Sequence, residues 1–209
     1  MGKTVGIVDY SMGNLHSVKN ALDYLGVESF ISGREEELES ADALILPGVG
    51  AFPDAMRVLR RGELPRFLRR ETEKKPLLGI CLGMQILFER GYEFEECRGL
   101  GLIEGEVVRM QPEPERGVPL KIPHMGWNDL HLRGDCPLFR GVPEGSYVYF
   151  VHSYHAVCTR PENLAAVTCY GGDVTAAVQC GNVYGTQFHP EKSEAAGLQI
   201  LRNFCDLAG

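Results

Sequence analysis

The sequence predicts an α/β protein built on a central, mostly parallel sheet. Over residues 1–90, short β-branched runs alternate with segments of helical periodicity, which is typical of strand–helix–strand crossover units. From Glu106 onward, short strands separated by Gly, Pro and Asn predominate. With 209 residues and 44% hydrophobic content, the chain can bury the core of one domain over 1–209 but is too short for two large ones.

The first part of the chain predicts four strands with helices between them. The predicted strands are Thr4–Val8, Val27–Ile31, Ala43–Leu46 and Pro76–Ile80. Asn14 can cap a helix that Gly26 can end with a positive φ, and the apolar residues of that helix share one face: Leu15, Val18, Leu22 and Leu25. The amphipathic run 54–70 supplies one or two helices, because Gly62 and Pro65 interrupt it.

The second part predicts strands that extend and flank this sheet, followed by a closing helix. The predicted strands are Glu106–Met110, Trp127–Leu132, Tyr147–Val151, Ala165–Tyr170, Val174–Gln179 and Val183–Phe188. An amphipathic helix is predicted from about Glu194 to Leu207.

Charge and hydropathy argue against two classes of partner. The formal net charge is −7, and acidic and basic residues are interspersed instead of forming a basic stripe, so no nucleic-acid partner is expected. No apolar run approaches the roughly 20 residues needed to span a bilayer, so no membrane partner is expected either. The start of the chain is too short and too glycine-rich for a signal peptide, which favours a cytoplasmic location.

The cysteines indicate a reduced compartment and no structural metal. There are seven of them, an odd number, and their spacing is wide and contains no C-x-x-C pair. The six histidines are scattered and form no zinc-ligand cluster with them. We therefore predict neither a metal nor another cofactor.

Cys81 is the candidate nucleophile. It lies in Gly79-Ile-Cys-Leu-Gly83, between a predicted strand and a helical run that begins near Leu82, which is the thiol counterpart of the G-x-S-x-G nucleophile elbow. Open α/β sheets place their sites at the carboxyl ends of strands, and a helix amino terminus there favours a reactive thiolate. The alternative is a small buried apolar residue.

A candidate base follows another predicted strand more than a hundred residues downstream. Pro190 biases His189 toward an extended backbone, in which positions two apart point the same way, so Glu191 can reach the imidazole. Such a carboxylate fixes the imidazole tautomer and stabilises the imidazolium. A solvated surface histidine beside a glutamate is the alternative.

The segment Pro47-Gly-Val-Gly50 is the candidate oxyanion loop. Glycines let backbone N–H groups turn toward a developing oxyanion without a Cβ in the way, so the expected donors are Val49, Gly50 and, from the elbow, Leu82. A glycine-rich loop after a strand can also bind phosphate, but neither G-x-G-x-x-G nor a Walker pattern is present.

Taken together, three ordered motifs resemble the class I, or triad, glutamine amidotransferases. They are Pro-Gly-Val-Gly from Pro47, Gly-Ile-Cys-Leu-Gly-Met-Gln from Gly79 and His-Pro-Glu-Lys-Ser from His189. Further stretches resemble the branch of that family that supplies ammonia to a cyclase subunit in histidine biosynthesis: Asp9–Val18, Pro47–Phe52, Pro123–Asn128 and Tyr149–Tyr154.

This resemblance implies a flavodoxin-like three-layer fold and a Cys81–His189–Glu191 triad. It implies hydrolysis of L-glutamine to glutamate and ammonia through a γ-glutamyl thioester. The implied glutamine-binding residues are Gly48, Gln85, Glu93, Ser153 and Tyr154, with Glu95 as the fallback for Glu93 because the acidic run from Gly91 could be slipped by a residue or two.

The resemblance also implies a (β/α)8 cyclase partner in a heterodimer, with glutamine hydrolysis that is slow until the cyclase holds its nucleotide substrate. Positions matching the partner-facing surface are Asn14, His16, Trp127, Tyr149 and Lys192. Each has an ordinary alternative as a core aromatic or a solvated polar residue. The remaining histidines, at 124, 131, 152 and 155, are expected to be structural.

Three other functions remain open at this point. The chain could be the glutaminase of another ammonia-channelling synthase, such as pyridoxal-phosphate synthase, although that group is expected to have a Gly-Gly-Glu-Ser type loop. It could be a thiol hydrolase of the related elbow-bearing superfamily, which would not need Gln85 or the Ser153–Tyr154 backbone. It could also be a silent scaffold, although a scaffold has no chemical reason to retain a complete triad.

Overall fold

The computed structural model describes residues 3–208 of the chain. Its strands are β1 (Thr4–Val8), β2 (Glu28–Ser32), β3 (Ala43–Gly48), β4 (Leu77–Cys81), β5 (Phe88–Gly91), β6 (Cys97–Arg98), β7 (Ile103–Arg109), β8 (His124–Asp129), β9 (His131–Leu132), β10 (Tyr147–His152), β11 (Tyr154–Cys158), β12 (Leu164–Cys169), β13 (Asp173–Cys180) and β14 (Val183–Thr186). Its α-helices are α1 (Leu15–Tyr24), α2 (Glu35–Glu39), α3 (Phe52–Leu59), α4 (Leu64–Glu71), α5 (Leu82–Gln85) and α6 (Glu194–Asp206).

An eight-stranded sheet in the order β2-β1-β3-β4-β14-β13-β12-β9 forms the centre. The first five strands of that order are mutually parallel, and the last three pairings are antiparallel. Helices cover both faces: α1 and α6 contribute to one buried apolar cluster, and α3 and α4 to the other. This three-layer α/β arrangement with a mostly parallel sheet is the flavodoxin-like fold that was predicted.

Two smaller sheets lie beside the large one. Strands β10 and β8 form an antiparallel pair, and β11, β7, β5 and β6 form a four-stranded sheet in that order. Within residues 3–208, no helix is long and apolar enough to cross a bilayer.

Most predicted elements are confirmed to within a few residues. The interrupted run 54–70 is two helices, α3 and α4, and Gly26 ends α1 with φ of 72°. The predicted strand Trp127–Leu132 is instead two strands, β8 and β9, that belong to different sheets. Four short elements were not predicted from the sequence: α2, β5, β6 and β11.

Two local predictions are wrong. The helical run expected after Cys81 is a single turn, α5, because Phe88 already starts strand β5 and pairs with Ile103 of β7. Asn14 occupies the N-cap position of α1, but its side chain makes no capping hydrogen bond, since its backbone (φ −85°, ψ 66°) is not the extended conformation that such a cap uses.

Candidate active site

Cys81 ends the central strand β4 in a strained backbone conformation. Its φ of 56° is uncommon for a residue with a Cβ and is the sharp strand-to-helix turn of a nucleophile elbow. The flanking glycines are required by close packing: a Cβ on Gly79 would lie 2.6 Å from the Gly83 carbonyl oxygen, and one on Gly83 would lie 1.8 Å from the Leu46 carbonyl oxygen. The elbow is thus locked against strand β3.

Cys81 ends β4, and His189 follows β14, the strand next to β4 in the sheet. Both side chains line the same cavity, and the imidazole Nδ1 lies 2.8 Å from the Glu191 Oε1. The side chains of His189 and Glu191 are 4% and 1% exposed. The structure therefore brings the three predicted triad residues together at the carboxyl ends of two neighbouring strands.

The backbone that brings Glu191 to His189 differs from the extended segment expected from the sequence. His189 is extended (φ −97°, ψ 98°), but Pro190–Lys192 forms a 3-10 turn. The turn folds the Glu191 carboxylate back onto the imidazole, so the contact arises from a tight turn and not from the alternation of an extended strand.

The surroundings of His189 favour its charged form. Burial alone lowers the pKa of the imidazole, but the hydrogen bond with Cys81, together with the hydrogen bond and charge of Glu191, outweighs it and raises the pKa of His189 to about 9. An imidazolium beside Cys81 stabilises negative charge on the sulfur. Since α5 is one turn long, few peptide dipoles add up there, and the histidine is the larger electrostatic influence.

A cavity of about 350 Å³ opens over the elbow. Its wall contains Cys81 and His189 and seven more of the predicted site residues: Val49, Gly50, Leu82, Gln85, Glu93, Ser153 and Tyr154. Gly48 is not among the lining residues, but it pairs in register with Cys81 on the neighbouring strand. A Cβ there would lie 2.6 Å from the Tyr10 hydroxyl, so glycine permits the close approach of these segments.

The cavity contains an acidic group at one end. The Glu93 carboxylate accepts a hydrogen bond from the Phe52 N–H at 2.8 Å. Burial raises the pKa of Glu93, the Phe52 hydrogen bond opposes that rise, and the charge of Asp54 adds to it. Glu93, and not the fallback Glu95, lines the cavity and is the available partner for a cationic group.

The predicted oxyanion segment does not present all of its N–H groups to the cavity. The Val49 N–H donates to the Met12 carbonyl oxygen at 3.1 Å, which directs it away from the Cys81 sulfur. Gly50 follows with φ of 99°, a conformation that glycine adopts without strain. Val49 can therefore serve as an oxyanion donor only after the Gly48–Val49 peptide rotates.

Two buried polar side chains at the site were not found from the sequence. Gln187 is fully buried, and its amide nitrogen lies 3.8 Å from the Cys81 sulfur. Tyr10 is 4% exposed beside Gly48, and its hydroxyl has no hydrogen-bond partner among residues 3–208. Burial raises the pKa of Tyr10, and the nearby charge of Cys81 raises it further. Gln187 could have been suspected because it lies two residues before His189, whereas nothing in the sequence marked Tyr10 as a site residue.

Three of the predicted partner-facing residues, Trp127, Tyr149 and Lys192, form a cluster next to His189. The rings of Trp127 and Tyr149 meet edge to face with centroids 6.1 Å apart, and the Lys192 Nζ lies 6.0 Å from the centre of the Tyr149 ring. The Tyr149 carbonyl accepts a hydrogen bond from the His189 N–H at 3.0 Å, which joins this cluster to the base. Asn14 and His16 are exposed at the start of α1.

The fold, the elbow and the triad geometry together define a glutaminase-type site, and the sequence comparison agrees. Residues 6–207 match the family model described as "Glutamine amidotransferase class-I". The chain therefore belongs to the class I glutamine amidotransferase family.

Within this family the chain is similar to subunits of one synthase over almost its whole length. It is 51% identical over 205 residues to imidazole glycerol phosphate synthase subunit HisH of Geobacillus kaustophilus (strain HTA426), covering 98% of this chain and 97% of that protein. It is 50% identical over 201 residues to the same subunit of Bacillus cereus (strain G9842), covering 96% of this chain and 93% of that one.

Solved structures of lower sequence identity share the fold. PurLQS from Thermotoga maritima matches with a TM-score of 0.74 and 22% identity over 99% of both chains. A crystal structure of a glutamine amidotransferase matches with a TM-score of 0.73 and 25% identity over 98% of both chains.

Proposed function

We propose that this chain is the glutaminase subunit of imidazole glycerol phosphate synthase, which hydrolyses L-glutamine and passes the ammonia to a cyclase subunit in the cytoplasm. The observation that carries the chemistry is that Cys81 and the Glu191-paired His189 line one cavity. The assignment to this synthase is supported by about 50% identity with the HisH subunits.

The geometry supports a two-step acyl transfer. The Cys81 thiolate attacks the γ-carboxamide carbon of glutamine and forms an S–C bond, and the carbonyl electrons move onto the oxygen. As the C–N bond breaks, the His189 imidazolium gives its proton to the leaving nitrogen, which departs as ammonia. The neutral imidazole then takes a proton from water, the hydroxide attacks the thioester, and the S–C bond breaks. Glutamate leaves, and the thiolate and imidazolium return.

The cavity wall supplies the contacts that recognition of glutamine requires. The Glu93 carboxylate, which lines the same cavity as Cys81, suits the α-ammonium of the amino acid. Gln85 and the backbone at Ser153–Tyr154 line the same cavity and offer amide groups to the polar parts of the ligand. The cavity thereby presents the γ-carboxamide to the sulfur.

A partner that receives ammonia should cover the mouth of this site. Ammonia that is protonated in bulk water loses the lone pair with which it acts as a nucleophile, so a sheltered route is needed. Trp127, Tyr149 and Lys192 form a cluster joined to the base by backbone hydrogen bonds, and an aromatic and polar rim of this kind is common at interfaces. We assign this rim, with Asn14 and His16, to the (β/α)8 cyclase subunit.

We predict that the isolated chain hydrolyses glutamine slowly and that the liganded cyclase stimulates it. Since the Val49 N–H is bonded to Met12, the oxyanion site lacks a donor until that peptide rotates. A single oxyanion donor contributes about 10²- to 10³-fold to kcat, so stimulation of about that size is expected. The measurement is glutamate release by the chain alone, with the cyclase, and with the cyclase and its nucleotide ligand.

Two substitutions at Val49 control for other causes of stimulation. Val49→Pro has no N–H and is expected to abolish the stimulation, whereas Val49→Ala keeps the N–H and should retain it. Equal turnover in all three mixtures would contradict the rotation, and no turnover even with the liganded cyclase would contradict the proposed function.

A further inference from the structure

A chain of hydrogen bonds runs from the rim strand β8 to the wall of the cavity. Asn128 Nδ2 lies 3.3 Å from His124 Nε2, and His124 Nδ1 lies 3.1 Å from His152 Nε2. His152 Nδ1 lies 2.9 Å from the Tyr154 carbonyl oxygen. The same oxygen accepts a hydrogen bond from Gln85 Nε2 at 3.0 Å. Both histidines are buried, with 3% and 6% of their surface exposed.

The donor and acceptor of every hydrogen bond in this series follow from its last member, the Tyr154 carbonyl. A backbone carbonyl can only accept, so His152 must donate through Nδ1. A neutral His152 then accepts through Nε2, which makes His124 the donor at Nδ1. His124 accepts in turn from the Asn128 amide. Burial lowers the pKa of His124 to about 4 and that of His152 to about 3, so both rings are neutral near pH 7.

These hydrogen bonds also fix which way the side-chain amide of Gln85 is oriented. Its amide nitrogen donates to the Tyr154 carbonyl and, at 2.9 Å, to Gln187 Oε1. Both amide hydrogens are therefore used inside the protein, and the Gln85 oxygen is the atom left to meet a ligand in the cavity. A Tyr154 carbonyl that turned away would remove one of the two acceptors that hold the Gln85 amide in this orientation.

We propose that Asn128, His124 and His152 form a positioning network that holds the Tyr154 carbonyl, and through it the Gln85 amide, in the orientation that recognises glutamine. The proposal rests on the proposed function, because it assigns these residues to the same glutamine cavity. Asn128 and His124 do not line the cavity, whereas His152 lines it close to Tyr154. We assign all three as positioning residues, because they act on the ligand by holding Tyr154 and Gln85.

A purely structural role predicts different behaviour. His124 is stacked between the rings of Phe150 and Tyr170, with centroid distances of 4.8 and 4.1 Å. If packing in this sandwich were its whole purpose, an apolar residue would replace it at least as well as a polar one. If the network positions the ligand, a residue that keeps a donor at the place of Nδ1 would serve better.

A matched pair of substitutions at one position separates the two roles. Asparagine carries its amide nitrogen where histidine carries Nδ1, so His124→Asn retains the donor to His152, whereas His124→Leu removes it. In the complex with the cyclase, we expect His124→Leu to raise the KM for glutamine by about 5- to 10-fold, the effect of one lost hydrogen bond. The KM of His124→Asn should stay within about 2-fold of that of the unsubstituted complex. This should hold even if His124→Asn is thermally less stable than His124→Leu.

Two further measurements distinguish positioning from general damage. Alkylation of Cys81 by iodoacetamide needs the thiolate but no recognition of glutamine, so its rate should be the same in His124→Leu and in the unsubstituted complex. Phe150→Leu removes one stacking partner but leaves the hydrogen bonds, so it should lower the thermal midpoint without raising the KM. Should His124→Leu fail to fold, Asn128→Ala at its partly exposed position interrupts the same chain and should raise the KM in the same direction.

The outcomes test the network separately from the proposed function. If the KM of His124→Leu equals that of the unsubstituted complex, or if His124→Asn is the more impaired of the pair, the network is overturned while the glutaminase assignment stands. A KM rise in Phe150→Leu as large as in His124→Leu also overturns it. An unsubstituted complex that releases no glutamate contradicts the proposed function itself.

Discussion

Replacing Cys81 with serine is expected to lower glutamate release by about 10³-fold or more, because no other group on the cavity floor can form the thioester. The serine hydroxyl is far less acidic than a thiol, so the His189 imidazolium cannot hold it as an anion. Serine is close in size and tolerates the same backbone, and the thermal midpoint should change little. The measurement is glutamate production by the Cys81→Ser chain with the liganded cyclase.

Cys136→Ser is the matched control for this experiment. Cys136 is as buried as Cys81, with 7% against 8% of its surface exposed, but it does not line the cavity over the elbow. Burial raises the pKa of the Cys136 thiol to about 11, so it is an inert side chain at neutral pH. Activity retained in Cys81→Ser, or lost to the same extent in Cys136→Ser, would contradict the assignment of the nucleophile.

Substitution of Gly83 by alanine should affect both stability and catalysis. The added Cβ would lie 1.8 Å from the carbonyl oxygen and 2.9 Å from the carbonyl carbon of Leu46, and neither backbone atom can move aside by a rotamer change. Overpacking of this kind costs about 1–3 kcal/mol or more. Strand β3 and the elbow must separate, which also moves Cys81 away from His189. The thermal midpoint of unfolding and the rate of glutamate release should therefore both be lower in Gly83→Ala.

Gly62→Ala tests whether the effect is specific to this contact. Gly62 lies in the turn between α3 and α4, and a Cβ there meets nothing within 4 Å. We expect this variant to keep its activity and its thermal midpoint. An unchanged thermal midpoint and unchanged activity in Gly83→Ala would show that the elbow does not depend on close packing against Leu46.

The parallel half of the sheet could be predicted because its signals are local and strong. Strand β1 is a β-branched run, α1 has a clear apolar face, and Gly26 marks the end of α1. The segment after Cys81 was misjudged because Ile86, Leu87 and Phe88 are buried apolar residues that satisfy helical and extended patterns equally. Pairing of β5 with β7 decides in favour of the strand, and that is a tertiary effect.

The triad residues could be proposed from the sequence because each follows a predicted strand. Carboxyl ends of parallel strands meet at one edge of a sheet, and β4 and β14 prove to be neighbours there. The direction of the Val49 N–H could not be predicted, since it depends on the Met12 carbonyl of another loop. Gln187 was missed for the same reason: a side-chain hydrogen bond between distant segments leaves no periodic signal. The hydrogen bonds of His124 and His152, which were expected to be structural, could not be predicted on the same ground.

The central claim is that the Cys81 sulfur and the His189 imidazole act together on glutamine. The most direct measurement treats the complex of this chain with the cyclase with an electrophilic glutamine analogue and locates the adduct by intact mass and peptide mapping. The account predicts one adduct, on Cys81, that excess glutamine prevents and that is absent in His189→Ala. An adduct on another residue, or one on Cys81 that forms equally fast with excess glutamine or without His189, would contradict it.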